Sequence, residues 1–217
     1  MITRSKNSFF LLVAASVLLI AACSLPGPSQ RPAKQTYVLQ GGPVSQPSET
    51  MTSKPCASLR VSLPGSAPGI NTVRMAYTTE PNRLDYFAYH EWVATPARMI
   101  ASMMESRLDA LGLFSAVVLG SSDIKTDFRL DSEVQALQQD FTNGTSTVTL
   151  TIKVTLIKVA SRSLLNSKTF SYREPADGEN AEAGVAAANR AAEHFLVDLT
   201  AFVSESIEPV ICKDSSF

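Results

Sequence analysis

The sequence predicts a single α+β domain, in which two amphipathic helices pack on one face of an antiparallel β-sheet. The first observation is the alternation of apolar and polar residues on both sides of Asn143-Gly144, which is a strong hairpin signal. The second is a pair of segments, 96–111 and 181–206, with apolar residues at helical spacing. Because several predicted strands precede each helix and no repeat is present, we expect one domain with one core.

The N-terminus has the features of a secretory signal peptide. Arg4 and Lys6 precede the apolar stretch 9–20, which is shorter than the roughly 20 residues that a membrane span needs. The sequence Ile20-Ala21-Ala22-Cys23 resembles the lipobox of bacterial lipoproteins. This resemblance implies that residues 1–22 are a lipoprotein signal peptide and that Cys23 receives a diacylglycerol on sulfur and an N-acyl chain such as palmitate. The alternative is an ordinary signal peptide that is cut nearby.

Lipidation predicts where the mature protein is held. Three acyl chains exceed the two that stable anchoring needs, so we expect a lipid anchor in a membrane and no membrane span. Residues 23–36 are rich in Pro, Gly, Ser and Gln and predict a flexible tether. Ser24, where some lipoproteins carry aspartate, favours sorting to the outer membrane in bacteria that use this rule. We therefore expect a periplasm-facing lipoprotein of the outer membrane.

The charge of the chain argues against nucleic acid as a partner. The sequence has 19 basic and 20 acidic residues, and loss of Arg4 and Lys6 with the signal peptide leaves 17 and 20, a formal charge of −3. No block of lysines and arginines interrupts this balance, so nucleic-acid binding is not expected.

Two cysteines remain once Cys23 is lipidated. Cys56 and Cys212 form an even pair in a compartment where disulfides persist, which favours a disulfide between them. It would join the start of the domain, predicted over residues 37–208, to the C-terminal tail, 209–217. The alternative is two separate thiols.

The first half of the domain predicts short strands followed by a helix. Pro64-Gly65 ends the second strand, and Glu80-Pro81-Asn82 is a turn signal that makes the next two strands a hairpin. Thr95-Pro96 has the pattern of an N-cap followed by proline at the first helical position, and Gly112 is a natural stop. The predicted strands cover residues 37–39, 59–63, 73–78, 84–89 and 114–119.

The second half predicts a long hairpin, one more strand and the second helix. Residues 128–136 and 148–156 alternate on either side of the hairpin turn, and the strand 163–172 follows a short break. Alanines lie on the apolar stripe of the segment 181–206, which would allow this helix to approach the sheet closely.

The sequence offers little support for catalysis or metal binding. His90 and His194 are isolated from cysteines and carboxylates at metal-ligand spacing, so structural roles are favoured. Ser122 and Lys125 match Ser-x-x-Lys, but the companion motifs are missing and the match follows a strand-like run. We therefore expect no catalytic residue, metal or cofactor. Because this motif exists, a periplasmic hydrolase remains one of the functional hypotheses.

The most unusual local feature is a run of aromatic residues before the first helix. Tyr86, Phe87, Tyr89 and Trp92 place aromatic rings on both sides of an alternating strand. Tyrosine and tryptophan are enriched where proteins meet partners, so these four residues predict a partner surface. The alternative is that one side packs under the helices and the other is an exposed edge.

These residues together resemble the ABC-type transport auxiliary lipoprotein family. The most specific piece is 84–96, Leu-Asp-Tyr-Phe-Ala-Tyr-His-Glu-Trp-Val-Ala-Thr-Pro, in which a tyrosine-rich strand leads into a helix. Tyr37-x-Leu39, the strand 59–63 with its proline, and Met75-Ala76-Tyr77 extend the likeness, which covers about residues 37–206. Phe87 stands where a second tyrosine is common, which is a mild departure.

The resemblance implies a non-catalytic component of a lipid-transport system. Its partners would be an MCE-type protein and the permease and ATPase of an ABC transporter, and a homo-oligomer is compatible with it. The alternative is a general outer-membrane assembly or scaffolding lipoprotein without a transported ligand.

Overall fold

The computed structural model describes residues 32–42, 55–120, 124–142 and 144–207. The signal peptide, Cys23, most of the tether, Ser122, Asn143, Cys212 and the C-terminal tail lie outside the described residues. Cys56 lies just before the second strand and is partly buried. Its pairing with Cys212 stays a prediction.

The described residues contain nine strands and two helices. In chain order the strands are β1 (Gln35–Tyr37), β2 (Ser58–Val61), β3 (Gly65–Ser66), β4 (Arg74–Thr78), β5 (Asp85–Trp92), β6 (Ala116–Leu119), β7 (Phe128–Asp140), β8 (Thr147–Lys158) and β9 (Ser163–Pro175). The helices are α1 (Pro96–Ala110), between β5 and β6, and α2 (Ala181–Ser206), after β9. One sheet and two helices in one domain confirm the predicted α+β class.

The sheet is built around β7. One edge of β7 pairs antiparallel with β8, and β8 pairs antiparallel with β9. The other edge pairs in parallel with β2, β3 and β4 in turn. Beyond β2 lies β6, and beyond β4 lie β5 and then β1. The sheet is therefore mixed, where the sequence predicted it antiparallel, because alternation shows which face a residue occupies and carries no information on strand direction.

Both helices cover the same face of this sheet. Every second residue of β8, from Val148 to Leu156, is buried beneath them, and the residues between are more exposed. From α1 the buried side chains include Ile100 and Leu108, and from α2 they include Phe195. Burying side chains of this size stabilises the fold by about 1.5–3 kcal/mol each. The core is thus a single layer between the sheet and the helices, and the opposite face of the sheet, the helix-free face, is more exposed.

The helix ends are set partly as predicted. Thr95 precedes Pro96 at the start of α1, but its side chain makes no capping hydrogen bond. Gly112 follows α1 with a φ of 69°, the left-handed conformation in which glycine commonly ends helices. The N-cap of α2 is Asn180, whose side chain accepts a hydrogen bond of 2.8 Å from the Ala183 amide. In the described part of the chain, no helix is long and apolar enough to cross a membrane.

Candidate functional site

The predicted partner surface lies on β5, near the edge of the sheet that β1 forms. Trp92 is only 4% exposed and belongs to the core, so it cannot contribute to a partner surface in this conformation. Phe87 is partly buried and packs against the same core. Tyr86 is also partly buried, and Tyr89 is 40% exposed. A partner could therefore reach Tyr89 most readily.

A bulge explains why the four aromatic side chains do not alternate between the two faces. β4 pairs Arg74 with Glu91 but Ala76 with Tyr86, so β5 has three extra residues between these two pairs. An odd number of extra residues inverts the alternation. Phe87 and Trp92 consequently line the same small cavity under α2, although one has an odd and the other an even position.

Tyr86 is held by two contacts outside β5. Its hydroxyl donates a 2.8 Å hydrogen bond to the carbonyl of Gly69, and the guanidinium of Arg74 lies 3.9 Å from the centre of its ring. Gly69 itself has a φ of 91°, which disfavours other residues there. Tyr86 therefore fastens the loop before β4 to β5, and its hydroxyl is already satisfied.

The structure brings near Phe87 further aromatic rings that the sequence analysis did not assign to the partner surface. The ring of Phe87 lies 4.8 Å from that of Tyr77, 6.5 Å from that of Phe141 and 5.7 Å from that of His90. The ring of Tyr37 stacks on His90 at 5.8 Å. We call these five rings the aromatic cluster. They come from β1, β4, β5 and the residue that follows β7, so no local pattern in the sequence could group them.

A hydrogen-bond network joins the aromatic cluster to α2. The Tyr37 hydroxyl donates a 2.8 Å hydrogen bond to Oε1 of Glu182, in the first turn of α2, and lies 3.1 Å from Nδ1 of His90. Partial burial, together with this bond to the Glu182 carboxylate, raises the pKa of Tyr37 to about 12. The same bond lowers the pKa of Glu182. At neutral pH a phenol therefore donates to a carboxylate, which fixes β1 against the helix.

The structure leaves little space beneath the aromatic cluster. The cavity lined by Phe87, Trp92 and Gly184 has a volume of about 10 Å³, too small for anything larger than a water molecule. His194 has its own partner, Glu174, with Nδ1 2.9 Å from Oε1. Across the described ranges, no three His, Cys, Asp or Glu side chains are placed to hold a metal ion.

The comparison with known families identifies the chain. The sequence model of the family described as "ABC-type transport auxiliary lipoprotein component" matches residues 37–199. The chain belongs to this family. The family description indicates an envelope-associated lipoprotein that assists an ABC-type transporter in an auxiliary role. No curated protein matches the sequence.

Two solved structures share the fold of this auxiliary lipoprotein. Protein XCC0632 from Xanthomonas campestris superimposes with a TM-score of 0.68 at 18% identity, over 79% of this chain and 96% of that one. A second structure, described as an uncharacterized protein, gives a TM-score of 0.62 at 12% identity, over 79% of this chain and 99% of the other. At these identities the likeness shows the fold alone.

Proposed function

We propose that this lipoprotein is a non-catalytic component of an ABC/MCE-type transport system and supports lipid trafficking across the bacterial envelope. In this proposal it binds the MCE-type protein and the permease and ATPase of the transporter, and does not itself carry out a reaction. The observation that carries the proposal is the family match over residues 37–199.

The contact surface we assign to it is Tyr89 together with the aromatic cluster. Tyr89 is 40% exposed, and the rings of the cluster are partly exposed. Interfaces are enriched in aromatic side chains, which bury a large area with few rotatable bonds. The cavity of about 10 Å³ beneath Phe87 cannot hold an acyl chain, which favours a contact surface over a lipid-carrying pocket at this place.

The proposal includes a lipid anchor at Cys23 in the outer membrane. Cys23→Ala should leave an unprocessed precursor or a soluble protein, because acylation is the only anchor that the sequence predicts. Processing and membrane fractionation of the variant, beside the wild-type protein, measure this. Normal maturation of the variant into the membrane fraction would contradict the anchor. Recovery of the wild type entirely in the inner membrane would contradict the sorting.

Co-purification tests the transporter partners. The tagged full-length protein, solubilised from membranes of its own bacterium, should bring down an MCE-type protein with a permease and an ATPase. Tyr89→Ala should weaken this association about thirtyfold or more if Tyr89 is an interface hot spot, while its melting temperature stays at the wild-type value.

The control is Val197→Ala, because Val197 is 50% exposed on α2, the helix that packs against β8 and β9. This variant should co-purify as the wild type does. If the wild-type protein recovers outer-membrane assembly proteins and no MCE-type protein, the scaffolding alternative is correct. If Tyr89→Ala recovers the transporter in full, the interface lies elsewhere on the domain.

A further inference from the structure

A second surface lies far from β5, where β2, β7, β8 and β9 run side by side on the helix-free face. The strand register places Arg60 beside Arg129, Arg129 beside Ile157, and Ile157 beside Leu164. Since the neighbouring residues Leu59, Leu130 and Leu156 are fully buried beneath the helices, this row faces away from them. Two arginines and two aliphatic residues thus form one continuous line across four strands.

Exposed aliphatic side chains surround this row. Ile124 is 58% exposed, Val159 39%, Leu164 62% and Leu165 38%. Among the described residues, ten large hydrophobic side chains are exposed, and these are four of them. All four lie at the same end of the sheet. Clustered exposed apolar side chains mark interaction sites, whereas scattered ones need no explanation.

The charges at this end are mostly positive. Lys125 and Arg162 are exposed there beside Arg60 and Arg129. The two carboxylates that the described residues place at this end, Asp127 and Asp131, are already engaged. Asp127 accepts two 2.8 Å hydrogen bonds from the amide and hydroxyl of Ser58, and Asp131 lies 3.0 Å from Nη2 of Arg129. Among the described residues, four cations against two carboxylates stand out on a mature chain whose formal charge is −3.

The shape of this end is open. Two adjoining grooves of about 550 and 380 Å³ share Arg129 and Val159. Arg60 is fixed at the floor of the larger groove, because its guanidinium donates to the carbonyl of Ile124. Nε of the same arginine is buried and has no hydrogen-bond partner among the described residues. We call this surface, made of the row and its flanking residues 124–125 and 158–165, the basic–aliphatic end.

We propose that the basic–aliphatic end docks on the anionic surface of a phospholipid bilayer. Its aliphatic side chains project outward, as is needed to enter the boundary between headgroups and acyl chains, and its cations face the phosphates. An acidic protein would use the same cations but would leave Ile124 and Leu164 without an apolar environment. This contact is separate from the lipid anchor, because the tether joins the domain at β1, at the opposite edge of the sheet from β9. It is also independent of the transporter partners proposed above.

The test measures vesicle binding without the lipid anchor. Residues 23–217 carrying Cys23→Ser are mixed with vesicles of phosphatidylcholine alone, or with about 30% phosphatidylglycerol, and sedimented. Binding should be at least about tenfold stronger to the anionic vesicles and should weaken as salt is added. Because each cation near an anionic surface contributes about a fivefold factor, Lys125→Gln with Arg162→Gln should reduce binding about 25-fold. Ile124→Ser with Leu164→Ser should also reduce it.

The matched control is Arg98→Gln with Val197→Ser, which removes one exposed cation and one exposed valine from the helical side. This control should bind as the parent protein does, and all variants should keep its melting temperature. Equal binding to both kinds of vesicle, or an equal loss in the control, would overturn the proposal. Saturable binding of one short-chain phosphatidylglycerol molecule per protein below its micelle concentration would overturn it too, since that result indicates a single-lipid site.

Discussion

The sequence predicts that side chains of both β8 and β5 alternate between the two faces of the sheet. In the fold, only β8 keeps this alternation. In β8 every second residue from Val148 to Leu156 is buried under the helices. In β5 the alternation breaks after Tyr86, so that Phe87 and Trp92 face the same cavity. The difference follows from the neighbours, because β8 is paired along its length with β7 and β9, while β5 pairs with β4 only near its ends. Alternation thus identifies the buried face only where continuous pairing keeps the pleat regular.

The largest expected effect on the free energy of unfolding comes from a substitution in β5, the irregular strand. Trp92→Ala should reduce the free energy of unfolding by about 3–5 kcal/mol, because it opens a cavity where a tryptophan that is 4% exposed contacts the core. Tyr89→Ala, three residues away, should change it by no more than about 0.5 kcal/mol, since the side chain is 40% exposed. Denaturant unfolding of both variants measures the difference. Equal losses would mean that both side chains are buried and that the bulge is misplaced.

Two neighbouring residues on β8 test whether burial alternates along this regular strand. Leu150→Ala should cost about 2–5 kcal/mol, because Leu150 is fully buried between the sheet and α2. Thr149→Ala, on the helix-free face, should cost less than about 1 kcal/mol, in line with the modest worth of cross-strand pairs. The same unfolding measurement applies. A Thr149 variant as unstable as the Leu150 variant would show that the helix-free face is covered in solution.

The smallest effect concerns the contact that holds β1 against α2. Tyr37→Phe should lower the free energy of unfolding at pH 8 by less than either core substitution above, because it removes the solvent-exposed hydrogen bond to Glu182. The pKa of Tyr37 is raised from its ordinary value of 10 to about 12 in the folded protein. Its contribution to stability is therefore complete below pH 10 and is lost as the pH rises from 10 to 12. The difference in unfolding free energy between wild type and variant should shrink over this range. A constant difference would contradict the bond.

The fold could be predicted where the determining signals are local. The turn between β7 and β8, the alternation on both strands and the apolar stripe of α2 were all visible in the sequence, and the observed helix Ala181–Ser206 has the predicted bounds. The parallel pairing of β2, β3 and β4 with β7 was not predicted. The residues that pair between these strands and β7 are 62 to 69 positions apart in the chain, and side-chain periodicity carries no information on strand direction.

The candidate site shows the same division. The density of aromatic residues in 86–92 was visible, and so was the family resemblance that the match over residues 37–199 confirms. Trp92 was wrongly assigned to a surface, because the bulge that turns it inward depends on pairing with β4. Tyr37, Tyr77 and Phe141 were not assigned to the site, since only the assembled sheet brings their rings to Phe87 and His90.

The sequence by itself determined the class of fold, the family, the two helices and the buried side of the central hairpin. Each of these depends on the order of residues within a few turns or strands, where periodicity and turn chemistry act directly. Only the tertiary structure decided the strand directions, the burial of Trp92, the aromatic cluster and the row from Arg60 to Leu164. These features join residues that are distant in the chain. They therefore exist only once the strands have assembled into one sheet over a shared core.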